Sequence, residues 1–525
     1  MLLSALTGPA PCPCCAYAHA ASVMPFAPFR SLTAMLTGMG RPAAREAEAA
    51  RRPSPELRIE GCTIIDPRDG GKRPGMTIAM KMGRIVDIFP TGSKDVPTDG
   101  QGVDASGRFV VPGYNDMHSH VLELDDPSGS LALMLAEGVT GFRQMSGSPA
   151  LLAARRAGRL PIGPDAPALH ETPGSLITPF NAGSPDAVVV EIRRQKGQGA
   201  DFIKIGMVAP DVFFAAIEEA NAQGIAILGH LQEGTDALRA TAAGFRSVEH
   251  LGPGSTVWIC CSAQEAELRA DSYRREVIKA PPFRIPFLET LVMKRLGKML
   301  INPSAFAKPG DVSRLKRAID SYDADKGREV AQRFREDGSW HVPTLVRLRT
   351  QEFADLPEYE QDEMLAYMPD RAVRNWRDVT ARYKALPSDM REAFYAAYPS
   401  QLELARLLSE AGVRMMVGTD GGSYLGPGLT MKQEFRELAD AGISPLKILQ
   451  MATINAAEYL RKADSMGLVE VGCDADLVLL DADPLARVEN LHAIAGVVRA
   501  GVHYSASALD ALKRRVADNK GTLHG

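Results

Sequence analysis

The sequence predicts an α/β protein built on a (β/α)8 TIM barrel, with a small β-sandwich domain assembled from both flanks of the barrel. The barrel is predicted by a recurring phrase: a helical stretch ends at glycine, a short apolar strand follows, and the strand ends on a polar residue. The phrase occurs in AEGVTGFRQ, GQGADFIKIG, AQGIAILGH, AAGFRSVEH and EAGVRMMVGTD. Glycine suits the left-handed position after a helix, and continuous apolar strands suit a parallel sheet buried on both faces. Five such βαβ units favour a closed barrel, although the repeat alone also fits an open sheet.

The two flanks of this region carry a different pattern. Residues 57–111 and 463–505 contain short alternating strands separated by turn residues, such as MTIAMKMGRIVDIFP and DADLVLLDADPL. Since they bracket the barrel, residues 112–462, we expect them to pair into one composite β-sandwich. Residues 506–525 are expected to form a C-terminal helix or tail.

A long irregular segment, residues 251–400, separates the last two strand ends. It contains helical periodicity, for example in DVSRLKRAIDSYDADKGREVAQRFRED. Functional loops of a barrel project from the C-terminal face, so we expect this insertion to cap that face. The alternative is a helical elaboration away from the site.

The bulk composition is that of an ordinary globular enzyme. The 525 residues are 45% hydrophobic and 24% charged, with a formal net charge of −4. Without a basic patch, nucleic acid is not expected as a partner, and without an apolar run of about 18 residues no membrane span is expected. We expect a small-molecule substrate and leave open a homo-oligomer.

The N-terminal residues 1–56 are predicted to be a disordered tail. Residues 1–29 contain no charged side chain, and AHA at 18–20 resembles a signal cleavage site. However, no basic segment precedes it and prolines interrupt the apolar stretch. The cysteines of the CPCC phrase, Cys12, Cys14 and Cys15, lack the spacing of a disulfide framework. A cytoplasmic protein is therefore expected, with an exported form as the alternative.

The phrase VVPGYNDMHSHV, residues 110–121, carries the main chemical signal. Its histidines, His118 and His120, are two residues apart and would share one face of a strand. Three further strands end on His230, His250 and Asp420. The carboxyl ends of barrel strands meet at one face, so these five residues predict a metal centre. Imidazole suits zinc, iron, nickel or copper, and manganese less strongly.

The chain resembles the amidohydrolase superfamily of metal-dependent hydrolases. The resemblance is carried by VPGYNDMHSH, FIKIG, ILGHLQEG, SVEHLG, VGTDGG and TINAAEYL followed by VGCDADLVLLDADPL, and it covers about residues 57–505. Within the superfamily the chain is most similar to the Xaa-Pro dipeptidase and imidazolonepropionase-like enzymes, since FIKI and HVPTLV resemble the former. The resemblance implies a (β/α)8 barrel with a β-sandwich.

The resemblance also implies a role for each metal-centre residue. His118 and His120 would bind the buried metal, His230 and His250 the second metal, and a carboxylated Lys204 would bridge the two. Asp420 would bind the first metal and act as general base. An unmodified lysine is a cation and a poor ligand, so a carbamate is needed for this role. The implied cofactor is a pair of divalent ions, with zinc expected and manganese, iron or nickel as alternatives.

One residue fits a different metal count. Glu233 lies three residues after His230 in HLQE, and a similar HxxE glutamate shuttles protons in single-metal deaminases and in imidazolonepropionase. Those enzymes generally lack the ligand expected at Lys204, whereas this sequence has both residues. Glu233 is therefore a second candidate catalytic residue, and two metals are favoured over one.

The resemblance implies hydrolysis of an amide-like C–N bond by a metal-bound hydroxide. The alternatives are deamination of a heterocycle on one metal, and hydrolysis of a lactone, ester or carbamate at the same site. Candidate substrate-binding residues are Arg143, His170 and His341, each of which could instead be structural. The substrate itself cannot be read from the sequence.

Overall fold

The computed structural model describes residues 56–93, 100–206, 208–231, 234–251, 256–273, 301–420 and 429–519. The predicted tail, apart from its last residue, and its CPCC phrase lie outside these residues. The described strands are β1 (Leu57–Ile65), β2 (Lys72–Lys81), β3 (Arg84–Pro90), β4 (Gln101–Asp104), β5 (Phe109–Pro112), β6 (Tyr114–Ser119), β7 (Val139–Gln144), β8 (Ala168–Glu171), β9 (Phe202–Ile205), β10 (Ala226–Gly229), β11 (Ser247–Glu249), β12 (Trp340–Val342), β13 (Arg414–Met415), β14 (Leu477–Leu480), β15 (Ile494–Arg499) and β16 (Val502–Ser505).

The described α-helices alternate with the central strands and dominate the second half of the chain. They are α1 (Pro127–Ala136), α2 (Pro149–Arg156), α3 (Pro185–Gly197), α4 (Pro210–Gln223), α5 (Ala237–Ala242), α6 (Thr256–Cys260), α7 (Glu265–Tyr273), α8 (Pro309–Asp320), α9 (Ala324–Asp337), α10 (Leu345–Glu352), α11 (Pro357–Glu360), α12 (Asp370–Lys384), α13 (Ser388–Glu410), α14 (Met431–Asp440), α15 (Pro445–Ala452), α16 (Ile454–Tyr459) and α17 (Ala506–Asn519). None of the helices in the described ranges is long and apolar enough to cross a bilayer.

Parallel strands form the barrel. Strands β6, β7 and β8 pair in one sheet, and β9 to β13 pair in a second sheet in chain order. Backbone hydrogen bonds join the two sheets at both edges: Met117 N donates to Val417 O at 2.9 Å, and Ile177 N donates to Lys204 O at 2.9 Å. The predicted TIM-barrel-like α/β fold is therefore confirmed.

The recurring glycine phrase has a direct structural basis. Gly224 directly follows helix α4 and Gly338 directly follows helix α9. Both glycines adopt the left-handed conformation that terminates a helix. The strands that follow are buried on both faces. Leu228 packs inside the barrel in one apolar cluster, while its neighbour Ile227 packs outward in another. This two-sided burial explains why the strands are continuously apolar.

The two flanks of the barrel pair with each other through one antiparallel strand pair. Strand β14 lies antiparallel to β5, with Leu477 opposite Pro112 and Leu480 opposite Phe109. This pairing joins β1–β5 and β14–β16 in one sheet with its own apolar core. The finer description of the unit as a two-sheet sandwich stays a prediction.

The predicted insertion is divided by a barrel strand. Helices α8 and α9 precede β12, and helices α10 to α13 follow it. A separate apolar cluster, containing Ile301, Tyr359, Trp376 and Phe394, joins α8 to α11, α12 and α13. Strand β12 has three residues, which is too short to show the alternation by which strands are read in a sequence.

Candidate metal centre

Three of the predicted ligands form a compact buried group. One ligand atom each from His118, His250 and Asp420 lies within 4.8 Å of the others. His118 belongs to β6, His250 follows β11 directly, and Asp420 lies beyond β13. The carboxyl ends of three strands therefore deliver the group to one face of the barrel, where the catalytic residues of such barrels lie.

The two remaining predicted histidines border this group. His120 Nε2 lies 3.1 Å from Asp420 Oδ1, and the ring of His230 stacks on His250 with 4.7 Å between centroids. All five residues taken from strand ends thus converge. Their individual roles as ligands of one or two ions stay predictions.

Lys204 and Glu233 are the two residues on which the predicted number of metal ions depends, and the structure describes only Lys204. Lys204 is fully buried in β9 and is paired in register with Leu228 of β10, the strand that leads to His230. Its carboxylation stays a prediction. Glu233 lies outside the described residues.

Two residues of the centre have unusual backbone conformations. His250 and Asp420 have φ of +67° and +52°, which non-glycine residues rarely adopt. Such conformations cost about 1–3 kcal/mol each and persist where the surrounding structure imposes them. For Asp420, a hydrogen bond from its own N–H to His118 O, 2.8 Å long, fixes the turn.

Glu249 fixes the ring of His118 from inside the barrel. Its Oε2 lies 2.7 Å from His118 Nδ1, and its Oε1 accepts from Arg143 Nη2 at 2.8 Å and from Ser247 Oγ at 2.7 Å. Because an ionised carboxylate only accepts, the proton of the neutral ring is on Nδ1 and the lone pair is on Nε2. Burial opposes ionisation of Glu249, but Arg143 and His118 outweigh it and hold the pKa of this carboxyl well below its usual range.

Asp116 ties two ligand-bearing segments together. Its Oδ1 accepts from the backbone N–H groups of His118 and Thr419, at 3.0 and 3.1 Å, and its Oδ2 accepts from the Thr419 hydroxyl at 2.7 Å. Sequence reasoning missed both Asp116 and Glu249. The available signal was an acidic residue within two positions of a predicted ligand on a buried strand.

Arg143 does not lie where a substrate could contact it. The side chain is fully buried, and its Nε donates to Met117 O at 2.7 Å while the guanidinium packs over the Tyr459 ring. Arg143 also forms an ion pair with Glu249, so it lies on the side of the His118 ring that faces Glu249. This geometry gives Arg143 a positioning role toward the His118 ring.

His170 and His341 are also outside the metal centre. His170 Nε2 lies 2.9 Å from Asn115 Oδ1, near the start of β6 and three residues before His118, or about 10 Å along a strand. His341 lies 3.2 Å from Ser339 Oγ and packs on Phe334 of α9, on the outer side of the barrel wall. Burial lowers the pKa of each histidine to about 3, so both are neutral. Both residues lie away from the metal centre, and their contact with a substrate stays a prediction.

Two residues that the sequence analysis did not select lie near the centre. Arg347 of α10 is buried, and its Nε lies 3.6 Å from Asp420 Oδ2. Glu123 interacts electrostatically with His120 and Lys204, and burial raises the pKa of its carboxyl to about 7. Arg347 shows that the segment after β12 does reach the site.

A divalent metal fits this arrangement. Two imidazoles and one carboxylate are donors that zinc and related ions accept, and they are buried and close enough to share one ion. Glu249 sets the His118 ring in the tautomer that a metal needs.

Gly418 is required for close packing at the centre. A Cβ at this position would lie 2.4 Å from Val342 Cγ1 and 2.7 Å from His118 Cβ. Gly418→Ala should therefore displace His118, weaken metal binding and destabilise the fold by about 1–3 kcal/mol. Metal titration and thermal unfolding would test this, with Gly163→Ala as control because nothing lies within 4 Å of its added Cβ. Unchanged binding in Gly418→Ala would contradict the packing argument.

The fold and the centre define an α/β-barrel protein with a divalent-metal site at the carboxyl ends of its strands. Residues 381–505 match the model of the Amidohydrolase family. This match, together with the similar proteins described below, agrees with the resemblance to the amidohydrolase superfamily that the sequence motifs predicted. The names of the similar proteins are those of enzymes that act on C–N bonds, in agreement with the amidohydrolase-type enzyme that the sequence predicted.

Three similar proteins illustrate the family. An adenine deaminase from Paracoccus denitrificans is 34% identical over 110 residues, which are 20% of this chain and 18% of that protein. An imidazolonepropionase from Symbiobacterium thermophilum is 24% identical over 431 residues, 79% of this chain and 85% of that protein. The solved structure of bottromycin amidohydrolase has a TM-score of 0.64 at 22% identity, covering 96% of this chain and 97% of that one. This last likeness shows the shared fold. The match to the adenine deaminase spans less than a fifth of that protein.

Proposed function

We propose that the protein is a metal-dependent hydrolase that cleaves an amide-like C–N bond of a small molecule, with Asp420 as general base. One observation carries the proposal: the Asp420 carboxylate lies among the His118, His120 and His250 rings. The match of residues 381–505 to the Amidohydrolase family model supports the reaction class.

The proposed ligands follow the geometry and the family resemblance. His118, His120 and Asp420 would hold one divalent ion, and His230, His250 and a carboxylated Lys204 would hold a second, with zinc as the first candidate. Bound ions would make a water more acidic and polarise the scissile carbonyl.

The residues of the chain would then handle the proton. Asp420 would accept a proton from the attacking water and donate it to the departing nitrogen. The nearby Arg347 guanidinium would restrain the second carboxylate oxygen. Glu249 would hold the His118 ring in place throughout.

A second candidate function is deamination of a heterocycle on one metal, with Glu233 moving the proton. It is favoured by the HLQE phrase and by the similarity to an adenine deaminase.

A substrate screen with metal analysis separates the two candidates. Purified protein loaded with zinc or manganese would be assayed on N-acyl amino acids, prolyl dipeptides, anilides, lactones and amino-substituted heterocycles. We expect turnover of an amide, two metal equivalents, and loss of metal together with about a 100-fold or greater loss of activity in Lys204→Ala.

The matched control is Lys196→Ala, because Lys196 is an exposed lysine of α3. One metal equivalent that survives Lys204→Ala, with activity lost in Glu233→Gln, would favour deamination. Turnover unchanged after complete removal of metal would refute both candidates.

A further inference from the structure

We infer that Thr344 is a positioning residue of the metal centre: its hydroxyl sets the tautomer of His250, and Glu434 holds the backbone that presents this hydroxyl. The inference rests on the proposed function only in taking His250 as a metal ligand. Thr344 lies between β12 and α10, in the segment predicted as an insertion.

The hydrogen bonds of Thr344 determine where the His250 proton is. The Thr344 hydroxyl donates to Pro343 O at 2.8 Å, and its Oγ1 also lies 2.6 Å from His250 Nδ1. A carbonyl oxygen only accepts, and a hydroxyl has one proton. The hydroxyl proton is therefore used on Pro343, and Oγ1 accepts from an Nδ1–H of His250. The lone pair of His250 is then on Nε2, the nitrogen left for a metal.

The backbone of Thr344 is in a conformation that its side chain disfavours. Its φ and ψ are +49° and +46°, in the left-handed region, where a β-branched residue is a genuine outlier. Such a conformation persists only where neighbouring structure imposes it, and it is concentrated at functional sites.

Glu434 provides that restraint from a neighbouring helix. Thr344 is the N-cap residue of α10, and threonine usually caps a helix with its own hydroxyl. Here the hydroxyl makes no capping bond. Its oxygen instead accepts from His250 Nδ1, and its proton is donated to Pro343 O. Instead, the buried Glu434 of α14 accepts from Val346 N at 2.7 Å and also from Leu345 N. Two first-turn N–H groups are thereby satisfied from outside the helix.

The same junction makes a second contact with the centre. Arg347 is in the first turn of α10, and its Nε lies 3.6 Å from Asp420 Oδ2. Its Nη2 donates to Ile301 O at 3.1 Å. The capped helix therefore presents Thr344 to one proposed ligand and Arg347 to another. Glu434 acts on both through one short segment.

Metal affinity tests the inference directly. Zinc binding to the metal-depleted protein would be measured by competition with a chromophoric chelator, and Co²⁺ spectra would report ligand geometry. Thr344→Val keeps the shape and the branching but removes the hydroxyl, so affinity should fall about 10–100-fold. Thr344→Ser keeps the hydroxyl and should stay within about 3-fold of the wild type.

Two further variants separate positioning from a general loss of structure. Thr344→Gly relieves the left-handed strain, so the metal-free protein should unfold at or above the wild-type temperature while binding zinc about 10–100-fold more weakly. Glu434→Gln retains an acceptor for the N–H groups and should bind zinc like the wild type, whereas Glu434→Leu should bind it like Thr344→Val.

The outcomes that overturn the inference are specific. They are wild-type zinc affinity in Thr344→Val or in Thr344→Gly, or equal losses in Thr344→Val and Thr344→Ser. Failure of the wild-type protein to bind any divalent metal would instead refute the proposed function. This result is observed without any variant, so it is distinguishable from the outcomes that overturn the inference.

Discussion

Replacing Asp420 with asparagine should lower kcat/KM by about 10²–10⁴-fold, the usual contribution of a positioned general base. Asparagine has nearly the same shape, so the packing against His118 and His120 is kept, but its amide cannot take a proton from water. The measurement is kcat/KM on the best substrate of the screen, made at saturating metal with the bound metal quantified.

The matched control is Asp481→Asn. Asp481 forms an exposed ion pair with Arg108 in the flanking sheet, so its loss should leave kcat/KM unchanged. Full activity in Asp420→Asn with wild-type metal content would remove the general base from the mechanism. Activity restored simply by added metal would show that Asp420 acts only as a ligand.

The convergence of the candidate ligands was predictable because the barrel imposes a simple rule. A buried strand that ends on histidine or aspartate delivers that side chain to the carboxyl-terminal face, where the other strand ends meet. His118, His250 and Asp420 follow this rule, and the structure brings them together. The pairing of β5 with β14 agrees with the sequence pattern, since both flanks carry short alternating strands that bracket the barrel.

The positions of Asp116 and Glu249 beside predicted ligands were a usable signal, but the partners of the supporting residues were not predictable, because their contacts join distant parts of the chain. Glu249 is 131 residues from His118, Thr344 is 94 residues from His250, and Asp116 is 303 residues from Thr419. No local spacing encodes such a pair.

The direction of the His341 side chain was not predictable for a different reason. The inward or outward direction of a strand residue depends on its register. The short strand β12 contains only one residue on each side of His341, which is too little sequence to set that register.

Loss of the charge on Glu249 should be the most destabilising single change at the centre. Glu249→Gln keeps the shape but leaves the fully buried Arg143 guanidinium without its anion, and breaking one partner of a buried ion pair costs about 3–5 kcal/mol. The glutamine amide can also present an N–H to His118 Nδ1 and disfavour the tautomer needed for a metal. We expect a lower denaturant midpoint and about 10–100-fold weaker zinc binding.

Two comparisons isolate the buried charge. Glu470→Gln removes the exposed ion pair with Arg68 and should change stability by less than about 1 kcal/mol. The double variant Arg143→Met with Glu249→Gln removes both charges and should recover part of the stability lost in Glu249→Gln, because the cost lies in the uncompensated guanidinium. It should not recover zinc affinity, because the acceptor for His118 is still missing. Recovery of both properties would mean that Glu249 acts only on the fold, and wild-type stability in Glu249→Gln would mean that the ion pair contributes nothing to it.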